Sequence, residues 1–263
     1  MHGLCGCKID YLPFGRMEKD MPEDKIYGRN PVLEAIRHGR EIDKILIKKG
    51  GIDGSVNTII KKARDLGIAV IEADKQKLDS VCNGENHQGV VAYTAVHEYA
   101  TVGDILKKAS DRGKPPFIII CDKICDPHNL GSVIRTANCA GVDGIIIPKR
   151  GSAGLNATVA KTSAGAIEYT PVARVANIAQ TIDALKKEGV WVAGADMDGE
   201  PMGKCDLKGA LALVIGNEGE GISRLVKEKC DFLVSIPMYG DINSLNASVA
   251  AAVLTYEAVR QRT

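Results

Sequence analysis

Along most of this chain, apolar residues fall in short blocks separated by amphipathic stretches, the rhythm of strands and helices in alternation. From Ile26 the pattern predicts a helix opened by Asn30-Pro31 over Val32–Arg37 and a strand over Lys44–Lys48. A helix over Val56–Leu66, a strand over Ala69–Glu72 and an apolar run over Val90–Val96 follow. Alternation on so short a scale argues for a small α/β domain. Residues 101–116 read as a short helix and a Gly/Pro-bearing break, the natural domain boundary. Beyond it lie five Val- and Ile-rich runs, Phe117–Asp122, Gly144–Pro148, Val190–Gly194, Leu211–Gly216 and Phe232–Pro237, with helical stretches between them. Strands apolar end to end must be covered on both faces, which implies a parallel sheet. The last helix, Ser244–Arg260, sets Ala247, Ala250, Ala251 and Ala252 among Val249, Val253 and Leu254, so it must pack closely. The expected organisation is a flexible tail over 1–22, a small α/β domain over 23–98, a linker over 99–116 and a parallel-sheet domain over 117–263.

Composition narrows the class. With 45% hydrophobic and 25% charged residues the chain is an ordinary globular one, neither disordered nor fibrous. No apolar run approaches the ~20 residues of a membrane span. The first twenty residues carry Lys8, Asp10, Arg16, Glu18, Lys19 and Asp20 and no apolar core of a signal peptide, so a cytoplasmic protein is expected. Eight cysteines include no C-x-x-C pair, and Cys5-Gly6-Cys7 is a metal half-site without a second half; free thiols and no metal are the reading. A formal net charge of +1 argues against nucleic acid, but the sum conceals a gradient. Residues 25–64 hold ten basic and four acidic side chains, whereas 65–100 hold two and six. Residues 123–161 are again basic, five against two. Arg29, Lys61, Lys62 and Arg64, with Lys48 and Lys49, are candidates for phosphate contact, the bland alternative being solvated edges.

Three loops carry candidate chemistry, each following a strand and opening a helix. In Asp126-Pro-His-Asn129-Leu-Gly131-Ser-Val-Ile-Arg135, Pro127 sets the turn, Asn129 is a candidate cap and Gly131 permits close approach. Asn129 and Arg135 are expected to converge beyond the strand's carboxyl end, where ligands bind in open α/β sheets; the alternative is a capped helix with a solvated arginine. His128 reads as a solvated loop residue. The second loop, Gly216-Asn-Glu218-Gly219-Glu220-Gly221, has the wrong glycine order for a dinucleotide and no Lys-Ser/Thr for a P-loop. Two carboxylates repel phosphate and suit a ligand that is neutral or cationic there, such as the adenosine and sulfonium of S-adenosylmethionine; a tight turn needing positive φ is the alternative. In the third, Ile236 to Ser248, the residues Ser244, Asn246 and Ser248 can cap the last helix while offering polar groups to a ligand. Three such loops share one edge of a parallel sheet.

The motifs D-P-x-N-x-G-x-x-x-R-x-A, V-I-G-N-E-G-E-G-I and I-P-M-x-G-x-x-x-S-L-N-x-S-V-A-A-A, in that order over about 117–262, resemble those of the SpoU (TrmH) branch of the SPOUT RNA methyltransferases. Upstream, Ile26-Tyr-Gly-Arg-Asn-Pro and Asn86-His-Gln-Gly resemble the small substrate-binding domain of the subgroup that methylates a guanosine ribose in 23S rRNA. The resemblance implies an S-adenosylmethionine-dependent 2′-O-ribose methyltransferase active in rRNA processing on the large subunit. It also implies a homodimer with shared active sites and a trefoil knot made by the last two motifs. Carried over, Arg135 is the catalytic arginine and Asn129, Glu218 and Asn246 its polar companions. Gly216, Asn217, Ile236, Ser244 and Leu245 contact the cofactor, largely through backbone. Alternatives are a tRNA 2′-O-methyltransferase and an idle RNA-binding protein.

Overall fold

A computed structural model of the chain describes residues 25–263 apart from 52, 83, 84 and 96. The expected tail over 1–22, with Cys5 and Cys7, lies outside the described residues. The small domain comprises β1 (Lys25–Tyr27), α1 (Arg29–Arg37), β2 (Ile42–Lys48), α2 (Gly54–Asp65), β3 (Ala69–Ala73), α3 (Lys75–Cys82) and β4 (Val90–Thr94). Its sheet runs β1-β4-β2-β3, with β2 and β3 parallel and β4 antiparallel to β1 and β2. Alternation along the strands divides its core: Ile45, Ile47, Val90 and Ala92 meet α1 and α2, while Leu46 and Val91 meet Leu78 and Cys82 of α3.

Next come α4 (Val102–Asp111), β5 (Phe117–Cys121), α5 (Pro127–Cys139), β6 (Gly144–Pro148), α6 (Ala157–Thr162), β7 (Val172–Val175), α7 (Ile178–Lys187), β8 (Trp191–Pro201), β9 (Leu211–Ile215), α8 (Arg224–Lys229), β10 (Phe232–Ser235) and α9 (Ala247–Arg262). The six strands form a wholly parallel sheet in the order β10-β8-β9-β5-β6-β7. Odd and even positions again part: Phe117, Ile119, Leu213 and Ile215 face α5, α6 and α9, whereas Ile118, Ile120, Ala212 and Val214 face α4, α7 and α8. Burial on both faces is why these runs are apolar without interruption.

The segment expected as a linker is part of this layer. A capping box between Thr101 and Asp104 starts α4, and its Ile105 and Ala109 are fully buried, Ile105 among Ile118, Ile120 and Ile146. Ala100 bridges to Ala173, adding to the sheet edge. The two domains are also joined by a polar knot of contacts. Arg174 Nη1 of β7 donates to Asp43 Oδ1 of β2 at 2.7 Å, Tyr99 Oη donates to the same oxygen at 2.8 Å, and the Leu155 amide donates to Tyr99 Oη at 3.0 Å.

Gly131 lies in the middle of α5, where glycine ordinarily costs about 0.5–1 kcal/mol against alanine. A Cβ there would come within 2.7 Å of Thr162 Cβ and 3.0 Å of the Val159 carbonyl oxygen on α6. Gly131→Ala is therefore expected to lose about 1–3 kcal/mol by overpacking despite its better helix propensity; an unchanged or higher midpoint in thermal unfolding would refute the close contact.

Candidate functional site

Strands β5 and β9 are neighbours, but the helices that follow them lie on opposite faces, α5 among the first set of core residues and α8 among the second. Such a switch of side opens a crevice outside the carboxyl ends of the two strands. The first two polar loops leave the sheet there, and the start of α9 brings in the third.

At the first loop the helix cap is Asp126, whose carboxylate accepts from the His128 amide at 2.9 Å with Pro127 at the first helical position. Asn129, expected as the cap, sits one turn in, and its side chain is released for other work. The signal for Asp126 was the Asp-Pro pair, a cap followed by proline. Asn129 is buried; its Nδ2 donates to Glu218 Oε1, and its Oδ1 accepts from Asn246 Nδ2 at 3.0 Å. Asn246 Nδ2 also reaches Glu218 Oε1 at 3.2 Å, and the Ala247 amide lies 3.4 Å from the same oxygen. Three residues from three loops thus close one triangle. The α9 N-terminus, with its partial positive charge, faces the Glu218 carboxylate, a favourable pairing. The terminal helix begins at Ala247, later than the expected Ser244, because Asn246 Oδ1 accepts from the Ser248 and Val249 amides and caps it.

The second loop is held closed by its own groups. Asn217 Oδ1 accepts from the Gly219 and Glu220 amides at 2.9 and 2.7 Å, and the Gly221 amide returns to the Asn217 carbonyl at 3.0 Å. The Asn217 side chain is thus committed within the turn. Gly221 has φ +67°, in the left-handed region that a tight turn here requires. Asp122 Oδ2 accepts from the Ser223 amide at 2.7 Å and ties the loop's far end to β5. In the third loop Ile236 and Leu245 are half-buried, Ser244 is exposed, and Met238, Tyr239 and Ile242 present apolar surface to solvent. Burial pushes the Cys121 thiol beneath the crevice up to about 12, so it is a protonated core residue and no nucleophile.

Arg135 does not join the triangle. Six residues past Asn129, it is displaced by about 120° around the helix and about 9 Å along it. Its guanidinium is exposed and makes no hydrogen bond or ion pair among the described residues. His128 is exposed, with Nδ1 3.5 Å from Thr162 Oγ1. In the small domain Arg29 pairs with Asp53 at 2.5 Å, while Lys61, Lys62 and Arg64 project from α2.

The pattern of the SpoU rRNA Methylase family matches residues 116–256, and that of RNA 2′-O ribose methyltransferase substrate binding matches 25–100. The chain belongs to the SpoU methylase family. It is 47% identical over 240 residues to a putative TrmH family tRNA/rRNA methyltransferase, YacO, of Bacillus subtilis, covering 91% of this chain and 96% of that one. A Staphylococcus aureus protein described in the same words is 49% identical over 243 residues, covering 92% and 98%. Among solved structures, the SpoU methyltransferase AviRb from Streptomyces viridochromogenes, in complex with AdoMet, aligns with a TM-score of 0.58 at 25% identity over 90% of this chain and 89% of that one. An AdoMet-bound rRNA methyltransferase from Sinorhizobium meliloti aligns at 0.56 and 25%, covering 90% and 86%. The fold is therefore the SPOUT fold, the chain is an RNA 2′-O-methyltransferase of the SpoU/TrmH type, and its cofactor is S-adenosylmethionine. The SpoU loops suit that cofactor chemically: neither 216–221 nor 236–245 contains a lysine or arginine, and although Glu220 is paired with Lys123 at 3.6 Å, the Glu218 carboxylate favours a cation.

Proposed function

We propose that this SpoU methylase modifies a guanosine 2′-hydroxyl in the 23S rRNA of the large subunit, working in the cytoplasm as a homodimer. The observation that carries the catalytic part is the Asn129–Glu218–Asn246 triangle at the crevice, with the uncommitted Arg135 outside it, about 9 Å further along α5. Ribosomal RNA is favoured over tRNA by the extent of the likenesses. The rRNA methyltransferase from S. meliloti spans 90% of this chain, whereas a TrmH/SpoU tRNA modifying enzyme from A. aeolicus spans 56% of it, with a TM-score of 0.52. A dimer is supported by α9, which buries Ala247, Ala251, Leu254 and Ala258 inward yet leaves Val249 and Tyr256 about half exposed on its outer side. A helix apolar all round calls for a second cover. The same helix starts against Glu218 at one end of the sheet, and Arg262 near its other end donates to the Pro116 carbonyl oxygen at 3.4 Å, a course in keeping with a knotted chain end.

In this reading Gly216, Ile236 and Leu245 hold the cofactor by backbone, with Asn217 shaping the loop and Ser244 at its methionine end. The bound cofactor supplies the electrophilic methyl. Asn129 and Asn246, locked through Glu218, present fixed amide dipoles that orient the ribose without reorganisation. Arg135 holds the neighbouring phosphate and stabilises the developing alkoxide. Guanidinium stays protonated in proteins and does not serve as the base. Arg135→Lys keeps the charge but loses the planar fork, so kcat with excess RNA should fall about ten- to a hundredfold, short of the ~10²–10³ for deleting such a donor outright. Wild-type-like turnover would remove Arg135 from the reaction. The function itself is tested by mapping 2′-O-methyl groups in RNA from a deletion strain and restoring them with purified enzyme and labelled S-adenosylmethionine. Loss at one 23S guanosine is expected; loss at a tRNA position would transfer the activity to tRNA, and no loss anywhere would favour an idle RNA-binding protein.

A further inference from the structure

A cleft of about 540 Å³ opens in the small domain at the carboxyl ends of β2 and β3, away from the residues of the methyl-transfer crevice. Lys48 ends β2, Lys75 opens α3, Arg29 opens α1, and the loop Asn86–Gly89 forms the remaining wall. The α2 residues Lys61, Lys62 and Arg64 do not line it.

What distinguishes the cleft is that its side-chain acceptors are engaged and several of its side-chain donors are not. Asn86 Oδ1 accepts from the Gln88 amide at 3.3 Å, and Gln88 Oε1 from the Arg29 amide at 3.4 Å, so the NH₂ ends of both side chains are left over. His87 uses both ring nitrogens, Nδ1 on the Gly89 amide and Nε2 on Asp79. The ammonium groups of Lys48 and Lys75 have no carboxylate partner among the described residues. Arg29, by contrast, is partly neutralised by Asp53, and its Nε is tied to the Gln88 carbonyl at 3.0 Å. The wall is tied to the sheet: Gln88 has φ +47°, rare for a residue with a side chain, and the Lys48 amide donates to the Gly89 carbonyl at 2.8 Å. Two unpaired cations beside two amide donors, on a preorganised loop, fit an anionic ligand rich in acceptors.

We propose that this cleft seats one unstacked nucleotide of single-stranded RNA, with its flanking phosphates on Lys48 and Lys75 and its base edge on the Asn86 and Gln88 amides. The inference rests on the RNA-methyltransferase reading. The volume lies within the ~300–1,000 Å³ of small-molecule sites. A pocket of that kind takes one splayed base, the form in which RNA sequence is usually read, and excludes a helical groove.

The test uses full-length protein, a short fluorescent single-stranded RNA and a hairpin in which the same sequence is paired. Lys48→Glu/Lys75→Glu should weaken binding of the single strand at least tenfold. It should also flatten the dependence of log Kd on log salt by about 1.4, for two phosphate contacts at ~0.7 each. Asn86→Leu should leave that slope alone and reduce discrimination among homopolymers. In the wild-type protein, RNA carrying 4-thiouridine should crosslink to the peptide containing residues 86–89, a readout independent of any variant's folding. Unchanged affinity and slope in the double variant, equal binding of the hairpin, or crosslinks confined to other peptides would each overturn the cleft while leaving methyl transfer intact. Failure of the wild-type protein to bind any RNA would overturn the methyltransferase reading and the cleft together.

Discussion

Gly216→Ala is expected to lower stability by about 3 kcal/mol, the upper end of what overpacking usually costs, and to weaken S-adenosylmethionine binding more than tenfold. A Cβ at this position would stand 2.1 Å from the Gly221 carbonyl carbon, 2.3 Å from its oxygen and 2.3 Å from the Ile222 nitrogen. All three are backbone atoms, so no rotamer change relieves the overlap and the loop must open. Opening separates Asn217 from Gly221 and strips the Asn217 side chain from the amides it holds. Glu218 then leaves the triangle and the start of α9. Gly221→Ala is the informative control. Nothing lies within 4 Å of a Cβ there, and only its φ of +67° is unfavourable, at about 1–2 kcal/mol for the left-handed region. Calorimetric titration of the cofactor and thermal unfolding should rank Gly216→Ala well below Gly221→Ala; equal damage would mean that the close approach at Gly216 is not what matters.

The second large effect is expected at the domain junction. Arg174→Met should cost about 3–5 kcal/mol, the penalty for removing one member of a buried ion pair. The Arg174 and Asp43 side chains are 12% and 10% exposed, so Asp43 would be left buried with Tyr99 as its remaining side-chain donor. Adding Asp43→Leu should restore much of the loss, because the stranded charge disappears; a double variant as unstable as the sum of the two singles would contradict this. Burial already holds the Asp43 carboxyl above the ordinary aspartate range, outweighing Arg174. The folded state therefore binds this proton more tightly than the unfolded chain. The resulting stabilisation is fully present below the unfolded pKa and is lost as pH rises through the folded value. Removing Arg174 widens the shift, so the variant's deficit should be greatest at neutral pH and shrink in acid. The junction also touches chemistry: Arg174 Nη2 donates to the Lys149 carbonyl, Tyr99 supports Leu155, and between them Ser152 and Ala153 donate to the Ile124 carbonyl just before Asp126. The same variant should accordingly lower kcat and not only RNA affinity.

The larger domain was legible because its strands are buried on both faces, and an unbroken Val/Ile run in a chain of this composition has few other uses. Its sixth strand, Val172–Val175, escaped because it is four residues long, lies at the edge and contains Arg174. The three residues of β1 are too short for any period. The α4 segment passed for a linker because an amphipathic stripe announces that a face is buried and not which sheet buries it. Asn129 and Asn246 show the same limit at the site. Both are plausible caps by residue type; Asn246 is one and Asn129 is not, since Asp126 reaches the free amides first.

What the sequence determined by itself is what neighbouring residues decide among themselves. It established the alternation of strand and helix, the three polar loops at strand ends, the glycines that let them turn, and through their combined motifs the family. Tertiary structure decided which groups meet. Glu218 finds Asn129 across 89 positions, Asn246 finds Asn129 across 117, and Arg174 finds Asp43 across 131. Arg135 is turned away from that triangle, and the donors of Lys48, Lys75, Asn86 and Gln88 are gathered around one cleft. Such pairings depend on strand order and on the side of the sheet each helix takes, which are fixed only when the whole apolar surface is buried at once.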